Sequence, residues 1–273
     1  MTIPFWHVDA FAGKAFTGNP AGVCLMEEWP APSLMQGIAA ENNLPETAFL
    51  VPRPAGQGTG PAADFDLRWF TPSVEIDLCG HATLAAAHVL IQHRGWSRPA
   101  VTFSSQSGPL VVEAKDDILV LDFPSRPPLP CEPVATLVKG LGARPMEILG
   151  ARDYLAVFAT EEEVRALSPD MALLSRIDRM GVIATAPGAA NASGPRVDFV
   201  SRFFAPGVGI PEDPVTGSSH CTLVPFWARR LRRTKLHALQ VSPRGGELFC
   251  EDAGERVKIG GRAVTYLGGE IVL

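Results

Sequence analysis

The chain has 273 residues, with 24 Lys and Arg against 29 Asp and Glu, a formal charge of −5 at pH 7, and 46 % hydrophobic residues. A mildly acidic surface with no basic tract argues against a nucleic-acid partner. No run of about 18 apolar residues and no basic-then-apolar leader is present, so no membrane partner is expected and the location is read as cytoplasmic. Five cysteines (Cys24, Cys79, Cys131, Cys221 and Cys250) form no Cys-x-x-Cys pair, which predicts free thiols rather than a disulfide framework or a zinc ribbon.

In chain order, residues 3–8 alternate as a first strand, and a glycine-punctuated loop over 11–20 leads into an apolar strand over 21–26. Gly13-Lys14 is followed by Ala15, so it is no phosphate-binding loop. Asn19 stands before a proline, where its amide serves either a turn or a ligand. Ser33 and Gln36 fit a capping box ahead of an apolar stripe, predicting a helix over 33–42. A strand over 44–51 is entered through Pro45, and there Glu46 is a lone carboxylate among apolar neighbours. Loss of water would raise the pKa of such a carboxyl and suit it to pass a proton both ways.

Residues 52–63 form a Pro/Gly-rich loop and 65–69 a strand. The helix after Gly80 is apolar on nearly all sides, so it should be buried with sheet wrapped about it, exposing only its N-terminus. His81 sits at that end, whereas His88, two turns on, reads as a core histidine. Strands over 101–123 break at Gly108 and Asp116-Asp117, and the Pro-rich segment 124–130 reads as an interdomain linker. An acidic helical turn at 161–163, a buried strand over 182–186, a helix over 222–227 closed by basic residues 229–233, and a turn at 242–246 complete the list.

One corner occurs twice. Residues 64–76 laid on 198–210 match at seven of thirteen positions, pairing Asp64 with Asp198, Phe65 with Phe199, Arg68 with Arg202 and Phe70 with Phe204. Beyond them, Cys79-Gly80-His81 answers Thr216-Gly217-Ser218-Ser219-His220, each ahead of a helix. The chain thus reads as two similar domains, residues 1–123 and 131–261, with 262–273 able to return to the first. Free N–H groups at both helix starts favour an anion such as a small-molecule carboxylate.

Asn19-Pro20, Asn43-Leu44-Pro45-Glu46-Thr47, Phe70-Thr71-Pro72, Cys79-Gly80-His81-Ala82-Thr83, Glu212-Asp213-Pro214-Val215-Thr216-Gly217-Ser218 and Ser242-Pro243-Arg244-Gly245-Gly246 together resemble the PhzF-like isomerases of phenazine biosynthesis. These lie within the diaminopimelate epimerase and proline racemase fold. The resemblance implies an α+β fold of two pseudo-symmetric domains, each a β-barrel-like sheet around a central helix, with the site between them. It makes Glu46 the proton shuttle, with His81, Asp213 and Ser218 as catalytic companions and Asn19, Cys79, Gly80, Thr216, Gly217 and Ser219 about the substrate. No cofactor or metal is implied, and no His or Cys pair has ligand spacing. A homodimer is the expected assembly.

The epimerases of this fold set two thiols against each other. Here Cys79 holds the first position and Thr216, a hydroxyl too weak an acid to ionise, the second. The reading is therefore a cofactor-independent isomerase that moves a proton between carbons of a small carboxylate through Glu46. Its alternatives are a Cys79-dependent dehydratase or epimerase of a cyclic amino acid, and a non-catalytic small-molecule binder.

Overall fold

The structure, a computed structural model, describes residues 1–53, 62–132, 134–189 and 196–273. The first elements are β1 (Thr2–Ala10), β2 (Asn19–Leu25), α1 (Pro32–Asn42), β3 (Glu46–Pro52), β4 (Phe65–Phe70), β5 (Glu75–Ile76), α2 (Gly80–His93), β6 (Ala100–Ser105), β7 (Gly108–Lys115) and β8 (Ile118–Pro124). There follow β9 (Leu129–Pro130), α3 (Ala135–Leu141), β10 (Glu147–Gly150), β11 (Tyr154–Val157), α4 (Glu161–Ala166), α5 (Met171–Leu174), β12 (Val182–Pro187), β13 (Phe199–Ala205), β14 (Ile210–Asp213), α6 (Gly217–Leu231), β15 (Lys235–Gln240), β16 (Gly246–Ala253), β17 (Arg256–Gly261) and β18 (Ala263–Val272). Two compact units emerge, Met1–Asp122 with Gly260–Leu273, and Phe123–Ile259. Most of the loop read over 52–63 lies outside the described residues.

The first unit is an α+β body whose strands neighbour one another in the order β18, β1, β2, β3, β4, β6, β7, β8. Pairing is parallel at β2–β3 and β4–β6 and antiparallel at the other steps. α2 lies against β1, β2, β3, β7 and β18, so strands from both ends of that order curl about it. This is why its sequence is apolar all round: every residue from His81 to Leu90 except His88 is buried, and each enclosed leucine contributes about 1.5–3 kcal/mol. α1 packs Met35, Ile38 and Ala39 against Phe49 and Phe70.

The second unit repeats this pattern. β10–β11 is antiparallel, β11–β12 parallel, β12–β13 antiparallel, β13–β15 parallel and β15–β16 antiparallel, the same alternation as β1 through β7. Residues shared between the two sequence copies do the same work. Asp64 accepts the Thr102 N–H and pairs with Arg98; Asp198 accepts the His237 N–H and pairs with Arg233. Arg68 forks onto Glu75 and Arg202 onto Glu212. The repeated letters are thus the pins of a repeated strand-to-helix corner.

Three local readings change. The α1 capping box does not form, because Pro32 takes the first helical position, where its missing N–H costs nothing, and Gln36 instead donates to the Thr71 carbonyl at 2.9 Å. A true capping box stands at α4, between Thr160 and Glu163. The Pro-rich segment read as a linker is tied into the second unit: Ser125 and Arg126 donate backbone bonds to Glu255 and Cys221, and β9 pairs with β10. α6 runs well past both ends of its expected span and carries Pro225 inside. A proline there cannot donate to the carbonyl four residues back. That carbonyl, on Cys221, is the one Arg126 takes, at 2.9 Å.

Candidate active site

Three elements of the first unit converge on one polar cluster. Asn19 opens β2 and Glu46 opens β3. These strands are parallel, with Glu46 level with Ala21, so Asn19 and Glu46 lie at the same end and on the same face. Cys79 is the N-cap of α2, and His81 sits in its first turn. Glu46 is 8 % exposed and His81 7 %.

The imidazole of His81 stands at the centre. Its Nε2 is 3.1 Å from Glu46 Oε2, and its Nδ1 is 3.3 Å from Asn19 Nδ2 and 3.5 Å from Cys79 Sγ. Nε2 and Oε2 are close enough to pair as charges, yet neither buried atom has an aligned hydrogen bond. Burial pushes the Cys79 thiol up and the Glu46 carboxylate pushes it further, so the sulfur is protonated near neutral pH. Burial alone would lower His81, but the neighbouring Cys79 and Glu46 outweigh it and hold the ring well above the ordinary histidine range. The three donors of Glu46, Cys79 and His81 lie within 4.8 Å of one another, a gathering that no spacing on a single element could announce.

The second unit's corner is built from hydroxyls. Thr216, the N-cap of α6, donates its hydroxyl to Asp213 at 2.5 Å, and its N–H goes to the Gln240 amide oxygen at 2.8 Å. The Gln240 amide nitrogen returns to the Asp213 carbonyl and to Thr216 Oγ1. The Ser219 hydroxyl is buried and donates to the Thr216 carbonyl, which His220 Nδ1 also meets at 2.8 Å. Ser218 differs: its hydroxyl accepts from Arg152 Nη2 at 3.0 Å. Gly80 and Gly217 are the first residues of α2 and α6. Gln240 and Arg152 escape the sequence reading, since each comes from a strand or turn far along the chain and stands in no motif.

The architecture is one that also carries epimerases. A hydroxyproline epimerase from Agrobacterium vitis matches 99 % of this chain and 92 % of its own with a TM-score of 0.59, at 13 % identity, which speaks for the fold alone. A crystal structure of a PhzF family phenazine biosynthesis protein from Enterococcus faecalis covers 100 % of both chains, with a TM-score of 0.92 and 46 % identity. An uncharacterized isomerase of Pseudomonas aeruginosa is 49 % identical over 274 residues and covers 100 % of each chain. The model of the phenazine biosynthesis-like proteins matches residues 8–269. This chain belongs to that phenazine biosynthesis-like family, and it is an enzyme of the isomerase type. Among the described residues no helix is long and apolar enough to cross a membrane.

Proposed function

We propose that the enzyme is a cofactor-independent isomerase which removes a proton from carbon of a small carboxylate and returns it elsewhere on the same molecule, with Glu46 as general acid and base. The observation that carries this reading is the Glu46 carboxylate itself: buried, at a strand start, with one oxygen beside the His81 ring and no aligned hydrogen bond. Such an oxygen is available to a proton. His81 is the group that pairs with it. Asp213 fixes Thr216 at the α6 start, and Ser218 with Arg152 offers donors for an anionic group there. Five free cysteines support a cytoplasmic, reducing location, and the exposed Tyr266, Leu267 and Val272 of β18 support a homodimer.

Cys79 supports a second reading, because its sulfur also reaches the His81 ring. In that case a dehydratase or epimerase would use the thiol as base. The experiment is deuterium wash-in from D₂O into a panel of cyclic and conjugated carboxylates, read by mass spectrometry. Glu46→Gln keeps shape and removes the acid, and exchange should fall ~10²–10⁴-fold, the usual worth of general acid–base help. Cys79→Ser should retain most of it. A dead Cys79→Ser beside a Glu46→Gln of near wild-type rate would reverse the assignment.

A further inference from the structure

Glu46, Cys79 and His81 supply a carboxylate oxygen, a sulfur and an imidazole nitrogen, all within 4.8 Å, and among the described residues no other trio of such side chains converges in this way. Glu46 Oε2 and His81 Nε2 are buried atoms without an aligned hydrogen bond, in side chains that are 11 % and 8 % exposed. The two atoms stand 3.1 Å apart as an ion pair, close enough for one cation to take both in place of the ring proton. Sulfur, nitrogen and oxygen at one point are the donor set of zinc, which commonly takes three protein ligands and keeps a fourth position for water. The sulfur and the imidazole select against Mg²⁺ and Ca²⁺, which want oxygen throughout. A metal-bound imidazole also needs a partner for its other nitrogen, and the Asn19 amide stands 3.3 Å from Nδ1, where its oxygen can turn to accept.

We propose that this trio is a reversible site for a borderline-soft divalent cation of the Zn²⁺ class, and that its occupation shuts the enzyme down. The inference rests on reading Glu46 and His81 as the groups that handle the substrate proton. As zinc binds, the thiol proton and the Nε2 proton of the His81 ring both pass to the buffer, and no electron changes hands. Zinc here is an inhibitor that takes the proton's place, so the metal-free enzyme is the active form.

The test needs no substrate. Protein stripped with EDTA is titrated with Zn²⁺ by calorimetry and with Co²⁺ by absorbance, where a sulfur-to-cobalt charge-transfer band in the near ultraviolet reports a thiolate ligand. Wild type should take one ion per chain and show the band. Cys79→Ser should lose the band and weaken Zn²⁺ by roughly 100-fold or more, and Glu46→Gln and His81→Gln by about 10-fold or more, since even outer partners of a metal cost 10–100-fold. X-ray absorption of the zinc-loaded wild type, which should show one sulfur beside nitrogen or oxygen neighbours, checks the site should a variant misfold. Absence of the band in wild type, or Zn²⁺ affinity unchanged in Cys79→Ser, overturns the proposal. Zn²⁺ held at the trio while Glu46→Gln exchanges deuterium normally would sink the shuttle and leave the metal site standing; an inert Glu46→Gln with no Zn²⁺ uptake by wild type would do the reverse.

Discussion

The first turns of α2 and α6 descend from the same corner and each buries a histidine, yet the two rings are driven opposite ways. His81 is held well above the ordinary range, whereas His220 is pushed down to about 4. Burial lowers both. The difference is the company: His81 has the Cys79 sulfur at 3.5 Å and a carboxylate at 3.1 Å, while His220 meets the Thr216 carbonyl, the Ser219 hydroxyl and the Phe199 ring. The ionisable neighbours, rather than depth of burial, therefore set these two helix starts apart.

The comparison can be broken from either side. The largest effect is expected at Glu46: besides the ~10²–10⁴-fold loss of exchange, Glu46→Gln should drop the His81 titration, followed by NMR of the ring protons, toward that of His220. An unmoved His81 would mean that the carboxylate is not what holds its proton.

Next in size is acid stability. The native state holds His220 neutral, with a pKa of about 4 against an ordinary 6.5, so the unfolded chain binds the proton first as pH falls. The ring's contribution is whole above about pH 6.5 and is lost as pH drops toward 4, about 3 kcal/mol in all. His81 runs the other way, its contribution present at low pH and lost as pH rises through its raised value. Urea midpoints at pH 6.5 and 4.5 should show a fall in wild type that His220→Gln flattens; parallel slopes would refute it.

A smaller effect is expected at Gln240, which is 1 % exposed and joins Thr216 to Asp213. Gln240→Leu leaves the Thr216 N–H buried without its acceptor and should cost about 2 kcal/mol in chemical unfolding. The smallest is Ser218→Ala, where one hydrogen bond to a bound anion should be worth ~1 kcal/mol in sulfate titration by calorimetry. Equal affinities would remove Ser218 from anion binding.

Much of this was legible in the chain. The all-round apolar character of α2, the breaks at Gly108 and Asp116-Asp117, and the doubled Asp-Phe-x-x-Arg-x-Phe run each follow from local periodicity or turn chemistry, and the strands, helix and shared pins appear where those signals stand. What local pattern could not carry was partnership. Gln240 and Arg152 reach the second corner from other strands and turns, and the approach of Glu46 to Cys79 and His81 is made by the packing of α2 against β2 and β3. Pro32 also shows two start signals competing, with the proline prevailing over the Ser33 box.

Pro225 shows how a rule of helix chemistry can be turned into a connection. By leaving the Cys221 carbonyl open, it creates a docking point in mid-helix, and the chain running in from β8 fastens there through the Arg126 N–H. Pro225→Ala would give that carbonyl back to the helix and set two donors in competition for it. Amide exchange at Arg126 should then quicken while α6 itself grows firmer, so a residue usually counted as a flaw in one helix acts as the catch that holds a neighbouring segment shut.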